Sequence, residues 1–334
     1  STSTSLGTAI GSYSNASGDF ATALGSQSIA TATRSLAVGL TAVSTGTDSV
    51  SIGANSTSNS ELAIAIGALS NATANGAIAI GGNTQGSGVD STAIGTQSDA
   101  TTVLSTAIGG FAQATGTSAT ALGAQAEASG YLSLSVGVAS TATNARSLAS
   151  GAFASASGDG AIAIGAYATS TGQRSSSIGS SADATANFAT AIGGDAQATV
   201  AGATSIGTFA NASDIQAMAI GFQAVSSANS STAIGAQSDA TASLASAIGS
   251  YAQATNTSAT AVGGQADASG YQASAFGTAS NVTGSNAMAL GAFSQADFDN
   301  SVAIGANVQT TFAGQFLFGV ASSFYTMPGL VSDA

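Results

Sequence analysis

Apolar and small residues alternate in short bursts along this chain. In Asn300-Ser301-Val302-Ala303-Ile304-Gly305, the aliphatic Val302 and Ile304 alternate with the small Ser301 and Ala303. A period of two is the period of a strand. Stepping from Gly305 in units of fourteen residues lands on a glycine each time, back to Gly11 and forward to Gly319, giving 23 glycines in register. The residue before each glycine is Ile, Leu, Val or Phe, except at Ser150. A short fixed period without insertions predicts a solenoid, whose coils stack on their neighbours.

Taking the glycine as position zero, positions −4 and −2 are nearly always Ala or Ser, as in Ala161 and Ala163 or Ala245 and Ala247. Positions −3 and −1 carry Thr or an aliphatic residue and then an aliphatic residue, as in Thr190 and Ile192 or Met218 and Ile220. This alternation predicts a strand over −5 to −1. After the glycine, +3 and +5 are again small (Ala196, Ala198), +2 and +4 are polar or aromatic (Tyr251, Gln253), and +6 is mostly Ser or Thr. That pattern predicts a second short strand. Positions +7 to +9 hold turn residues such as Gly158-Asp159-Gly160. Each repeat is then two strands and two turns in one flattened coil. Coils stack about 4.8 Å apart, so the set would form a rod of roughly 110 Å. A helix is excluded, because the apolar positions alternate and a Gly in every repeat would cost about 1 kcal/mol each.

With −4, −2, +3 and +5 facing each other, the interior of the coil is thin and the −3 and −1 side chains stand outside. A continuous stripe of nearly twenty Ile, Leu or Val residues exceeds what a soluble monomer exposes. Burying one such side chain is worth about 1.5–3 kcal/mol, against about 4–15 kcal/mol for association. The stripe therefore predicts an oligomer core. The alternative packing puts Ile inside each roll and Ala outside, and allows a monomer.

Composition narrows the chemistry. The 334 residues include three Arg, no Lys, no His and no Cys, and the net charge is −12. That balance argues against nucleic acid and anionic membranes. It also removes disulfides, thiol chemistry, most transition-metal sites and the commonest general base. No apolar run approaches the roughly 18 residues of a membrane span, and the repeat begins at once, which suggests a piece of a longer protein. Ser91–Gly130 closely matches Ser231–Gly270, ten coils on, as expected of segmental duplication. Near the end, Phe312-Ala313-Gly314-Gln315-Phe316-Leu317-Phe318-Gly319 enlarges the small positions, and Phe324-Tyr325-Thr326-Met327-Pro328-Gly329-Leu330 holds the only Pro. This predicts head repeats over 1–310 and a cap and exit segment over 311–334.

The unit Asn300-Ser301-Val302-Ala303-Ile304-Gly305, repeated every fourteen residues over about 1–320, resembles the head repeat of the YadA-like trimeric autotransporter adhesins. The Phe-Leu-Phe-Gly and Tyr-Thr-Met-Pro-Gly-Leu ending is similar to segments that close such heads. The resemblance implies an all-β, left-handed parallel β-roll (β-solenoid) of 14-residue coils assembled as a homotrimer. It also implies a Gram-negative cell surface, as the extracellular part of an outer-membrane protein leading to a stalk. It implies an adhesive role toward matrix proteins, host or bacterial cells, or abiotic surfaces, without fixing the ligand. Ser150 and the scarcity of basic residues depart from the pattern.

Ser and Thr have no His or Lys to activate them. Asp239 and Asp267 lie two coils apart and read as solvating charges. Asp19 and Asp159 lack calcium-loop spacing, and Gly158-Asp159-Gly160 precedes no helix that could bind phosphate. Arg34, Arg146 and Arg174 all fall at +9. Arg34 can pair with Asp48 of the next coil, and Arg174 can stack on Phe188. The +6 hydroxyl row reads as a ladder closing turn hydrogen bonds. An ice-binding reading needs a second Thr rank, which Thr31/Thr33 and Thr115/Thr117 supply but Ser213-Asp214-Ile215 breaks. No catalytic, cofactor or metal residue is assigned.

The stripe residues Ile94, Ile108, Ile164, Ile192, Ile220, Ile234, Ile248 and Ile304 are the predicted trimer core. The +2 aromatics Tyr13, Phe111, Phe153, Tyr167, Phe209, Tyr251 and Phe293 are the candidate ligand-contact surface, with packing between chains as the alternative. The expected function is non-enzymatic attachment. The competing readings are a structural spacer that projects another domain and a phage-fibre-like trimeric shaft.

Overall fold

The computed structural model describes residues 2–3, 6–320 and 322, in two compact units, Ser1–Phe188 and Ala189–Ala334. Both units are built in the same way, entirely from short parallel strands, with no helix among the described residues. Each coil supplies a three-residue strand at −3 to −1, such as Thr92–Ile94 or Thr232–Ile234. It also supplies a two-residue strand at +4 to +5, such as Asp99–Ala100 or Asp239–Ala240. From Thr8 onward, equivalent strands of successive coils pair in parallel and in fourteen-residue register, for example Ala93 with Ala107 and Ala233 with Ala247; the first strand, Thr2–Ser3, pairs with Asn15–Ala16 one residue out of that register. Every unit therefore has two ladders back to back.

The strands are shorter than the alternation predicts, because the turns take more of the chain. Position +2 lies in the left-handed region, as at Gln97 (φ 56°), and so does +9, as at Leu104 (φ 58°). The chain reverses at both places, and a left-handed residue makes the reversal tight. These residues are seven apart, so one coil is two similar half-coils. That equivalence explains why +3 resembles −4 and why +5 resembles −2.

All four of those positions point inward. Ala161, Ala163 and Ala168 have no exposed surface, and their counterparts are buried in all but the two end coils. Ser alternates with Ala here because its hydroxyl has work to do at the turn. Ser28 Oγ donates to the Gly25 carbonyl at 2.9 Å, and Ser35 Oγ to the Ala32 carbonyl at 2.7 Å. Where two Ser face across the roll, as Ser51 and Ser56 do at 2.7 Å, they bond to each other. The closing ladder predicted for the outer +6 row is thus supplied mainly by buried Ser at +3 and −4. The +6 hydroxyls instead reach the next coil, as Thr171 Oγ1 does to the Thr185 carbonyl at 3.0 Å.

The interior is too thin for large side chains. Val282, Val308, Thr84 and Thr310 are the largest that are fully buried. Where Thr84 enlarges +3, the +5 position of the same coil is Gly86, and a Cβ there would sit 2.8 Å from the Ile78 carbonyl oxygen. The alternative with Ile inside the roll is not the packing adopted.

The glycine at zero has two reasons to be invariant. Gly151 has φ +140°, and a Cβ on it would lie 2.4 Å from the Gly165 carbonyl oxygen of the next coil. The coil geometry continues to Phe316–Phe318, which pairs with Val302–Ile304. The Tyr-Thr-Met-Pro-Gly-Leu part of the predicted cap lies outside the described residues.

Candidate functional site

With Ala and Ser filling the interior, each coil presents two unlike outer faces. Face one is the outside of the three-residue ladder. Ile94, Ile108, Ile164 and Ile248 are exposed there, Ile94 to 36% and Ile108 to 39%. Ile192, Ile220, Ile234 and Ile304 are intermediate. Each lies beside the residue before the glycine of the next coil, as Ile94 does beside Ile108 and Ile304 beside Phe318. Neighbours along the ladder cover part of each side chain, and the rest faces outward. Ser150 occupies the same register between Val136 and Ile164.

Face two is the outside of the two-residue ladder with its bordering turns. The +2 aromatics do not lie on a strand, as the alternation suggested. They occupy the left-handed turn residue, with φ of 57° at Tyr13, 60° at Phe111 and Tyr167, and 57° at Phe293. Tyr13, Phe111, Phe153, Tyr167, Phe209, Tyr251 and Phe293 are all exposed, Tyr13 to 83%. Phe153 and Tyr167, on consecutive coils, stack with centroids 5.1 Å apart and planes 9° from parallel. Phe209 meets Phe222 edge-on at 6.4 Å.

The +4 row is mostly polar; Gln85, Gln113, Gln197 and Gln253 are exposed, whereas its Asp residues are half-buried. Asp239 and Asp267 are therefore not freely solvated charges. Burial pushes the carboxyls of Asp99, Asp183, Asp239 and Asp267 above their ordinary pKa. A Ser269 hydrogen bond partly opposes this at Asp267. One oxygen of each, Oδ1, is buried and makes no hydrogen bond. The short +4 strand packs its outer side chains against those of adjacent coils, and the buried Oδ1 of each Asp loses water without gaining a donor.

On the second turn, Arg34 Nε and Nη2 each donate to Asp48 at 2.5 Å. This is the cross-coil pair expected from the fourteen-residue offset. The hydrogen bond from Arg34 holds the Asp48 carboxyl below its ordinary pKa and raises the Arg34 pKa. The expected stacking of Arg174 on Phe188 is not among the ring contacts of the described residues. Among the described residues, no three acidic side chains gather as a metal site would require.

The family profile described as "YadA head domain repeat (2 copies)" matches residues 6–28, 30–56, 59–84, 87–126, 128–238 and 268–307, well over half of the chain. The chain belongs to the YadA head domain repeat family. A search of curated proteins finds no match. The family is of adhesin type, a surface-exposed part of an autotransporter, and the parallel β-solenoid seen here is its repeat in stacked form.

In this YadA-type head, the sequence pattern found both outer rows but missed features of the second. One is a polar groove of about 270 Å³ bordered by Leu69 and floored by Asn71, Gln85 and Asp99, with Asn83 and Gln97 beside it. Another is the left-handed backbone under the aromatics. The signal available for that was the run of Asn, Gln, Asp and Ser at +2 in other coils, residue types that tolerate or favour turns.

Proposed function

We propose that this chain is a non-enzymatic adhesive head that works as a homotrimer on the surface of a Gram-negative bacterium. The observation that carries the reading is the outward aliphatic stripe, with an interior already filled by Ala and Ser. At about 25 cal/mol per Å² of apolar surface, a stripe repeated in every coil favours association over exposure. Ile94, Ile108, Ile164, Ile192, Ile220, Ile234, Ile248 and Ile304 form the trimer core. The second face, with its exposed rings and amides, stays outside and makes the adhesive contacts. Repetition along each chain, multiplied by three chains, turns weak contacts into avid ones.

The test is binding of the chain, alone and fused to a trimerising coiled coil, to matrix-coated, cell-coated and bare polystyrene surfaces. Saturable binding that strengthens with trimerisation is expected. Absence of binding in both forms to all three surfaces would favour a spacer that only projects another domain.

A further inference from the structure

Six of the eight bulky residues of the +2 turn follow a longer period than the coil, Tyr13 and Tyr167 standing outside it. In the first unit, Leu69, Phe111 and Phe153 succeed one another at 42-residue intervals, and in the second unit Phe209, Tyr251 and Phe293 do the same. Forty-two residues is three coils, or about 14 Å along a stack of parallel strands. The two coils between consecutive rungs always carry smaller or polar residues at +2. They are Asn83 and Gln97, Gln125 and Ala139, Gln223 and Gln237, and Gln265 and Ala279.

The fold does not require these rungs. All six are exposed, Phe111 to 51% and Tyr251 to 54%. Their φ values run from 57° at Phe293 to 61° at Leu69, a region where a bulky L residue is disfavoured. Asn, Gln, Ser and Ala fill the same turn elsewhere, so a coil closes without a ring. An apolar residue held in a costly backbone state, facing water at a regular interval, points to contact with something outside the chain.

What lies between the rungs gives the chemistry of the partner. The groove of about 270 Å³ occupies the gap that begins at Leu69, and its polar lining is the amides of Asn71, Asn83, Gln85 and Gln97 and the carboxylate of Asp99, with Thr84 and Ser98 beneath. Each amide offers both a donor and an acceptor. In the equivalent gap of the second unit, Gln237 Nε2 donates to Gln223 Oε1 at 2.9 Å, which ties the two amides together. No cation lines either gap, and the chain has a net charge of −12, so an anionic polymer is disfavoured. The one carboxylate of the groove is half-buried rather than presented, so a cationic polymer finds little to pair with. Where two +2 rings occupy consecutive coils, Phe153 and Tyr167, they stack face to face. Phe111 and Tyr251 are followed by Gln125 and Gln265 instead, so neither ring has a second ring stacked on it.

We propose that the gaps between these rungs bind a neutral polysaccharide. The C–H faces of its sugar rings pack on Leu69, Phe111, Phe209 and Tyr251, and its hydroxyls bond to the amides of Asn83, Gln97, Gln223 and Gln237. A polymer suits a surface that repeats the same gap within each unit, because each added contact raises the effective concentration at the next. The inference rests on the adhesive reading above and names the class of partner for its second face.

The test is affinity electrophoresis of the whole chain in native gels containing galactomannan, xyloglucan, laminarin or dextran, with alginate as the anionic comparison. At least one neutral gel should retard the protein and alginate should not. Phe111→Ala combined with Tyr251→Ala should weaken the retardation about tenfold or more. Ala139 and Ala279 already occupy that turn, so the variant should fold, and its mass by light scattering should match the parent. Phe188→Ala, on the opposite turn, should leave retardation unchanged. The proposal is overturned if no neutral gel retards the protein, if alginate retards it equally, if the double variant is retarded like the parent, or if that variant loses assembly. Adhesion to coated and bare surfaces is measured in parallel. A chain that adheres without being retarded loses only the polysaccharide inference, whereas a chain that does neither loses the adhesive reading as well.

Discussion

The two ladders of a coil share one interior and differ only outside. Inward, both are Ala and Ser, as at Ala107 on one strand and Ala114 on the other. Outward, the three-residue ladder stacks Ile on Ile, whereas the two-residue ladder alternates Gln, Asp, Asn, Thr and Val. The backbone pairing is the same, parallel and in register, so hydrogen bonding does not separate their roles. The difference teaches that a thin, uniform interior fixes the frame and leaves the outer rows free to specialise. One row is apolar enough to be buried by other chains. The other is polar, carries rings on its border, and accepts some strain to display them.

The comparison breaks most completely if the apolar row is made polar. If Ile192 lies in the proposed trimer core, Ile192→Asp places a charge there in each chain, where an unpaired buried ion costs several kcal/mol. Light scattering should then report single chains, while circular dichroism keeps the β signal. Retention of the three-chain mass would show that Ile192 is not at an interface. A smaller effect is expected inside the roll. Ala247 has no exposed surface, and Ala247→Leu overfills the coil, costing about 1–3 kcal/mol. Its thermal midpoint should fall, with assembly at low temperature intact; an unchanged midpoint would mean that the interior has room.

The polar row should reveal itself by pH. Burial raises the pKa of Asp99, Asp183, Asp239 and Asp267 in the folded chain. For an acid with a raised folded pKa, the folded state holds more protons, so the stabilisation is fully present below the unfolded pKa of about 3.9. It is lost as pH rises through the folded pKa. The melting temperature should therefore rise on acidification from neutral pH toward about pH 4. Replacing the four Asp by Asn should flatten that dependence. A midpoint that falls on mild acidification in the parent, and not in the variant, would contradict the assignment.

The smallest effects are expected on exposed turns. Gln237→Asp should leave mass and melting within about 0.5 kcal/mol of the parent, since Gln237 is exposed at a left-handed turn that Asp tolerates. Equal damage from Gln237→Asp and Ile192→Asp would mean the two faces are wrongly assigned. Arg34→Met removes the exposed pair with Asp48 and should shift melting only marginally, by no more in low salt than screening of a surface pair allows.

Much of this was legible in the sequence. The fourteen-residue glycine register and the Ala/Ser alternation gave the coil, its parallel stacking, and which side chains face in. Arg34 and Asp48 could be paired from their fourteen-residue offset alone. The strand ends could not be read, because a period of two continues through +2 to +5 although the backbone turns left-handed at +2. Gln97 and Phe111 share that φ but little else in side-chain chemistry. The half-burial of Asp239 and Asp267 was also hidden. It depends on how neighbouring coils crowd the short +4 strand, which an alternation pattern does not report. The three-coil spacing of the rungs was present in the sequence, but it gained meaning only once +2 was seen to be a left-handed turn whose bulky residues are exposed.

The most direct test of the stripe as an assembly surface is the solution mass of the chain, measured by multi-angle light scattering over a range of concentrations. Burial of the outward Ile row predicts a mass of three chains that persists on dilution. A single-chain mass at every concentration, unchanged by fusion to a trimerising coiled coil that is then cleaved away, would contradict it.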